Sequence, residues 1–240
     1  MKLIICENYD AVMEQAAQIT IDIIKNKPDC ILGLPTGSTP IGLYNNLVKE
    51  YEAGKLDFSQ VKSFNLDEYY PIDPENDQSY RYFMNKHLFN RINIDINNTR
   101  VPNGNCEDPN QECAEYEKAI DLAGGIDLQI LGIGNNGHIG FNEPDKNLQA
   151  YTHMTKLTEN TIEANSRFFE KSDDVPRKAL TMGMASIMKA EKILMLITGK
   201  AKHNALMTLL SDNITTDVPA SLLKLHTDVT IICDKASYEE

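Results

Sequence analysis

The sequence lacks clusters of basic residues and long apolar runs. Its 240 residues include 23 Lys and Arg against 35 Asp and Glu, which gives a formal net charge of −12. Nucleic acids and anionic membranes are bound by basic surfaces, so we expect neither as a partner. No segment approaches the roughly 20 apolar residues that span a bilayer, and the apolar run at residues 3–6 is too short for a signal peptide. These absences predict a cytoplasmic protein.

Signatures of metal sites and of disulfides are also missing. The sequence has no H-x-x-x-H or H-E-x-x-H motif and no paired-cysteine spacing, so we expect no metal ion. Its five cysteines are an odd number, and three of them lie within apolar runs, where a thiol acts as a small buried hydrophobe. This pattern is typical of a reducing compartment.

Apolar runs alternate with amphipathic segments along the whole chain. The predicted strands are residues 2–6, 30–34, 61–65, 126–131, 192–198 and 229–233. The predicted helices are residues 10–25, 79–88, 109–123, 200–210 and 219–226, with another that starts at Pro40. With 42% hydrophobic residues and no linker, this order predicts one α/β domain over residues 1–240. The polar residues 145–176, which lie between strands, are a candidate lid.

A glycine-rich segment, residues 131–144 (LGIGNNGHIGFNEP), begins at the end of a predicted strand. It contains His138 and Glu143, and an imidazole held by a carboxylate can transfer protons near neutral pH. Its first glycines also spell the dinucleotide fingerprint G-x-G-x-x-G, but Gly140 and Pro144 interrupt the helix that should follow. An ordinary glycine loop, in which the histidine satisfies a backbone carbonyl, is a further alternative.

The turn after the second predicted strand has the composition of an anion site. Gly37, Ser38 and Thr39 precede a helix whose first residue is Pro40, and Thr39 is the predicted N-cap. Unpaired amides, two hydroxyls and the positive end of a helix dipole together favour a phosphate group. No Gly-Lys-Ser/Thr follows, so this is not a Walker A loop. The alternative is an ordinary strand-to-helix turn.

Three charged residues occupy positions where a ligand-binding role competes with a structural one. Asp67 and Glu68 follow the third predicted strand, and on an extended segment only one of them can face a pocket. The alternative for either is a solvated turn carboxylate. Lys202 lies in the first turn of a predicted helix, where the helix dipole disfavours a cation. It therefore either points into solvent or binds an anion.

Six ordered sequence blocks resemble the glucosamine-6-phosphate deaminase family. They are GLPTGSTPIGLY (residues 33–44), FNLDEYY (64–70), GIGNNGHIGFNEP (132–144), NSRFF (165–169), ALTMG (179–183) and ITGKAK (197–202). The resemblance implies a Rossmann-like, doubly wound, mostly parallel sheet with helices on both faces. It also implies conversion of glucosamine 6-phosphate and water to fructose 6-phosphate and ammonia, in amino-sugar catabolism, with no metal and no organic cofactor. The implied partner is a hexosamine phosphate, and the oligomeric state is left open.

The resemblance also implies roles for individual residues. Asp67 would be the base that removes the C2 proton. His138 would act on the ring oxygen and the anomeric hydroxyl during ring opening, and Glu143 would orient and tune it. The implied phosphate ligands are Gly37, Ser38, Thr39, Arg167 and Lys202.

Asn136 departs from the family pattern. Many members have an aspartate two residues before the histidine, and an amide can orient an imidazole but cannot share a proton with it. The ring-opening duty is therefore expected to shift towards Glu143. Regulated, hexameric relatives also extend further at the C-terminus, so we expect weak or no activation by an acetylated amino-sugar phosphate.

Two other functions are compatible with parts of the sequence. A 6-phosphogluconolactonase has a similar fold and a related glycine-rich histidine block, but FNEP and DEYY favour the deaminase. A non-catalytic sugar-phosphate sensing module is disfavoured by the acidic charge and by the presence of Asp67, His138 and Glu143. Ammonia release from glucosamine 6-phosphate separates these functions.

Overall fold

A computed structural model of the chain describes residues 1–158, 162 and 176–239. The strands in this part are β1 (Lys2–Cys6), β2 (Ile31–Leu34), β3 (Lys62–Asn65), β4 (Asp67–Tyr70), β5 (Thr99–Arg100), β6 (Leu128–Leu131), β7 (His153–Lys156), β8 (Lys178–Thr181), β9 (Lys192–Ile197) and β10 (Val229–Asp234). Seven of them form one sheet in the order β1-β10-β9-β6-β2-β3-β5, and all its neighbouring pairs are parallel.

The helices in the same part of the chain are α1 (Tyr9–Asn26), α2 (Ile41–Glu52), α3 (Tyr80–His87), α4 (Pro109–Ala123), α5 (Met184–Met188), α6 (His203–Leu210) and α7 (Lys235–Tyr238). Short 3-10 helices cover Phe89–Arg91, Ile96–Asn98, Lys200–Lys202 and Pro219–Leu225. Within residues 1–158, 162 and 176–239, no helix is both long enough and apolar enough to cross a bilayer.

Helices cover both faces of the large sheet. Leu32 and Leu34 of β2 belong to a core cluster with residues of α1, α2 and α3, whereas Ile31 belongs to a second cluster with residues of α4, α5 and α6. Alternate residues of a strand point to opposite faces, so a strand covered on both sides is apolar throughout. β9 (KILMLI) shows this pattern, with five of its six residues buried. The predicted doubly wound α/β fold is confirmed.

Local signals fix the ends of α4, and the predicted bounds are correct. Asp108 accepts hydrogen bonds from the amides of the first turn, and Pro109 stands where a missing N–H does no harm. Gly124 ends the helix with a φ of 102°, a left-handed conformation that favours glycine.

A second sheet, which the sequence does not predict, has the antiparallel order β4-β8-β7. β4 follows β3 after the single residue Leu66, so the chain passes directly from one sheet into the other. β7 lies inside the segment predicted to be a lid, and its residues pair with β8. Residues 159–161 and 163–175 lie outside the described part of the chain, and the lid stays a prediction.

Three predicted helices are wrong in detail. α2 begins at Ile41, after Pro40, and the side chain of Thr39 makes no capping hydrogen bond, so Thr39 is not its N-cap. The helix predicted at residues 200–210 starts as a 3-10 turn, a common way for a helix to begin, and its α-helical part starts at His203. The segment predicted as a helix at residues 219–226 is the 3-10 helix Pro219–Leu225.

The strand order determines where the loops meet. β9, β6, β2 and β3 are adjacent and parallel, so the segments that follow them leave the same edge of the sheet. The chain moves outwards from β2 through β3 to β5, then returns to β6 and continues through β9 to β10. The direction reverses between β2 and β6, which is where doubly wound sheets bind ligands.

Candidate active site

The segment after β6 brings His138 and Glu143 into contact. The His138 Nδ1 and Glu143 Oε2 atoms are 3.1 Å apart, and the two side chains are 25% and 12% exposed. A carboxylate accepts hydrogen bonds, so the proton is on Nδ1 and Nε2 is left free to exchange one with a ligand. Thr158 donates to the other oxygen of Glu143 over 3.4 Å.

Asn136 binds to Glu143 and to the backbone of the histidine. Its Nδ2 donates to Glu143 Oε2 over 2.7 Å, and its Oδ1 accepts from the backbone N–H of His138 over 3.2 Å. The amide thus fixes both the carboxylate and the chain that carries the imidazole.

Glycines of this segment make room for the imidazole. A methyl group on Gly134 would overlap the ring of His138. At Gly137, φ is 83° and a side chain would overlap Val218, so this turn also requires glycine. The glycines that suggest a dinucleotide loop in the sequence therefore pack the histidine and turn the chain.

Asp67 is buried without a hydrogen-bond partner among the described residues. Its exposed fraction is 7%. Burial, and to a smaller extent the charge of Glu68, raises the pKa of Asp67 from 3.8 to about 8. A carboxylate that no donor stabilises takes up a proton readily, which is the property of a general base.

Glu68 faces the opposite side of β4 and has a structural role. Its Oε1 accepts from the N–H groups of Tyr69 over 2.9 Å and Tyr80 over 2.8 Å, and its Oε2 accepts from Arg81 over 2.9 Å. Two of these amides belong to the first turn of α3, so the carboxylate caps that helix. Burial raises the pKa of Glu68 to about 7, against the opposing effect of the three amides.

Thr181 joins the β4–β8 pair to the glycine-rich segment. It lies opposite Asp67 in the register of the two strands, and its hydroxyl accepts from the N–H of Phe141 over 3.1 Å. A Cβ atom placed on Gly140 would be 3.4 Å from Asp67 Oδ2. Asp67 and the loop that carries His138 therefore lie side by side at one rim of the sheet.

The predicted phosphate ligands come from loops at the same rim. Residues 37–39 follow β2 and Lys202 follows β9, and only β6 separates these strands in the sheet. Neighbouring strands are about 4.8 Å apart, so the two loops start roughly 10 Å from each other. Lys202 is half-buried, burial lowers its pKa, and its ammonium bonds to no other described residue. Arg167 lies outside the described residues.

Outside the rim, a cavity and possible metal-binding groups were considered as ligand sites. A cavity of about 430 Å³ lies beside β5 and α4, lined in part by Lys62, Arg100, Lys118 and Leu122, and it contains none of the predicted site residues. In the described part of the chain, no group of three or more His, Cys, Asp and Glu side chains could hold a metal ion. The titratable groups converge at the rim, which is therefore the candidate active site.

Known proteins match the chain over almost its whole length. The family model of glucosamine-6-phosphate isomerases and 6-phosphogluconolactonases matches residues 7–232. The chain belongs to this family.

Relatives and solved structures of the family resemble the chain at different levels. A glucosamine-6-phosphate deaminase of Thermoanaerobacter pseudethanolicus is 54% identical over 235 residues, which cover 98% of this chain and 93% of that protein. The structure of a monomeric glucosamine-6-phosphate deaminase has a TM-score of 0.96 at 44% identity, over 99% of this chain and 98% of its own. A 6-phosphogluconolactonase of Thermotoga maritima, at 24% identity over 97% of this chain and 98% of its own, shares the fold with a TM-score of 0.75. The chain is an enzyme of this family, and the resemblance drawn from its sequence blocks is confirmed.

Thr181 and Glu68 have roles at this rim that the motifs alone do not predict. Thr181 lies in the block ALTMG, which marks its position but not its contact with Phe141. That contact depends on the pairing of β8 with β4, which no local pattern encodes.

Replacing Asp67 with asparagine should stabilise the fold increasingly as the pH rises. A carboxyl group with a raised pKa keeps its proton in the folded state where the unfolded chain has released it, so it lowers the free energy of unfolding progressively from pH 3.8 to about 8. Asp67→Asn removes this loss. Its gain in free energy of unfolding over the wild type should be larger at pH 8 than at pH 5 in urea denaturation.

The matched control is Asp29→Asn, which removes the same formal charge at an exposed position. Its difference from the wild type should stay constant between pH 5 and pH 8. An Asp67→Asn variant that behaved like this control would show that Asp67 is not desolvated in the folded protein.

Proposed function

We propose that the protein converts glucosamine 6-phosphate and water to fructose 6-phosphate and ammonia. The observation that carries this proposal is the position of Asp67 beside the loop of His138, at the rim where four adjacent parallel strands end. Family membership and the 54% identity to a deaminase over 98% of the chain support the same reaction.

Ring opening is assigned to His138. The C2 proton of the closed sugar is not acidic, because C1 carries no carbonyl group until the ring opens. Nε2 of His138 moves a proton between the anomeric hydroxyl and the ring oxygen, and Glu143, 3.1 Å from Nδ1, stabilises the positive charge that the imidazole acquires. Asn136 holds the carboxylate in place through its 2.7 Å hydrogen bond.

We assign to Asp67 the removal of the C2 proton from the open-chain sugar. Its anion is basic because it is buried and receives no hydrogen bond from a described residue. As the C2–H bond breaks, its electrons form a double bond between C1 and C2, and the oxygen on C1 takes up a proton. Return of a proton to C1 leaves an iminium group at C2, to which water adds before ammonia leaves.

The phosphate group is assigned to residues 37–39, Lys202 and Arg167. A half-buried ammonium without a partner among the described residues favours a bound anion. Gly37 has a φ of 87°, and a Cβ atom placed on it would meet no atom within 4 Å, so its backbone is open to a ligand. Arg167, outside the described residues, joins this group on the resemblance of its block alone.

The setting of the reaction follows from the same assignments. The proton transfers assigned above use His138 and Asp67, and we propose that the reaction needs neither a metal ion nor an organic cofactor. The partner is a small hexosamine phosphate, and the net charge of −12 supports the expectation that nucleic acid is not one. We also propose a cytoplasmic, single-domain enzyme whose residues 145–176 include a lid.

An ammonia assay with the purified protein tests this function. Glucosamine 6-phosphate should release ammonia and yield an equal amount of fructose 6-phosphate, with or without a chelator. Asp67→Asn should lower kcat by about 100-fold or more while it keeps its affinity for the substrate, because it removes a base and little volume. A protein that hydrolysed 6-phosphogluconolactone and released no ammonia from the amino sugar would contradict the proposal.

His138→Gln should affect the closed sugar much more than an open one. The suitable comparison is an analogue without the C4 and C5 hydroxyls, which can close neither a five- nor a six-membered ring and so needs no ring opening. We expect kcat for glucosamine 6-phosphate to fall by about 100-fold or more, and the rate for the analogue to fall far less. Equal losses on both substrates would remove His138 from ring opening.

A further inference from the structure

The turn assigned to the phosphate lacks the support that its sequence predicts. α2 begins without a side-chain cap, because Thr39 does not bond to its first turn. Backbone amides bind an anion well only when their direction is fixed before the ligand arrives. Groups from outside the turn must therefore hold it.

Tyr9, the first residue of α1, reaches this turn from 30 positions away in the chain. Its hydroxyl donates to the carbonyl oxygen of Thr39 over 3.0 Å and accepts from the N–H of Gly42 over 3.0 Å. The second bond satisfies an amide in the first turn of α2, as an N-cap would. The carbonyl oxygen of Ser38 is 3.5 Å from the same hydroxyl.

These contacts determine which way the amide of Thr39 points. In a trans peptide the C=O and N–H groups point in opposite directions. The carbonyl oxygen of Ser38 faces Tyr9, so the N–H of Thr39 in the same peptide faces away from α1. The carbonyl oxygens of Ser38 and Thr39, which would repel an anion, therefore point towards Tyr9. The N–H of Thr39 points away from Tyr9, where it can donate to an anion.

The neighbourhood of Tyr9 fits the turn closely. A side chain on Gly42 would overlap Met13 and Tyr9, so glycine allows α1 to approach the start of α2. At the other end of the turn, the buried Tyr44 donates its hydroxyl proton to the carbonyl oxygen of Pro35 over 2.5 Å. Two tyrosine hydroxyls from two helices thus hold the backbone on either side of residues 37–39.

We infer that Tyr9 is a positioning residue that aims the amide of Thr39 at the substrate phosphate. This inference rests on the proposed function, because it requires the phosphate to bind at this turn. The competing explanation is that Tyr9 only joins α1 to α2, in which case its hydroxyl would contribute to stability and not to phosphate affinity.

Tyr9→Phe keeps the ring and removes the hydroxyl. We expect the KM for glucosamine 6-phosphate and the inhibition constant of inorganic phosphate to rise together by about three- to tenfold, the effect of losing one or two ordinary hydrogen bonds. The kcat should change by less than about twofold, since the groups assigned to the proton transfers are untouched. Tyr82→Phe, at an exposed position on α3, is the control and should leave both constants unchanged.

The assay separates this inference from the proposed function. If the wild type released no ammonia, the function would fail, and titration calorimetry with inorganic phosphate would still compare the affinities of the wild type and Tyr9→Phe. A Tyr9→Phe variant with wild-type phosphate affinity, or one whose only change was a lower Tm, would overturn the role of Tyr9. A parallel loss of phosphate affinity and of KM, with kcat retained, would support it.

Discussion

The parallel order of four neighbouring strands is the constraint on which the site depends. β9, β6, β2 and β3 all run in one direction, so the segments that follow them must emerge at one edge of the sheet. Residues separated by more than a hundred positions in the chain, such as Asp67 and Lys202, are delivered to the same rim by backbone pairing alone. The strand order reverses between β2 and β6, and doubly wound sheets bind their ligands at such a reversal. The chemistry of the rim is then a matter of which side chains the loops carry.

Asp67 and Glu68 show how the backbone divides similar groups between function and structure. Both carboxylates are buried in β4, and the alternation of the strand sends them to opposite faces. Glu68 receives three amide hydrogen bonds and caps α3, whereas Asp67 receives none from a described residue. The Asp67 anion is therefore less stabilised than the Glu68 anion, and a poorly stabilised carboxylate is a stronger base. Glu68 strengthens this effect, because its own charge lies on the adjacent residue.

The sequence predicts features that depend on local patterns and misses those that depend on distant pairing. The bounds of α4 are correct because Asp108, Pro109 and Gly124 specify both of its ends. The small sheet is missed because its strands are four residues long and β4 pairs with β8 across more than a hundred positions. Thr39 is mistaken for a cap because the hydroxyl that binds the start of α2 comes from Tyr9 on another helix. The motifs predict Asp67, His138 and Glu143 as site residues, but only the fold shows that the segments carrying them lie close together.

The contacts of Asn136 explain why an asparagine suits this position, where many family members have an aspartate. Its amide nitrogen is 2.7 Å from Glu143 Oε2, the same oxygen that contacts the imidazole of His138. An aspartate in this conformation would place two carboxylate oxygens at that distance, and one of them would have to hold a proton. The amide donates a hydrogen bond instead, so Glu143 is the carboxylate that faces the imidazole and no second carboxylate lies beside it. In this chain, therefore, the charge that supports ring opening belongs to Glu143, and Asn136 contributes by fixing its position.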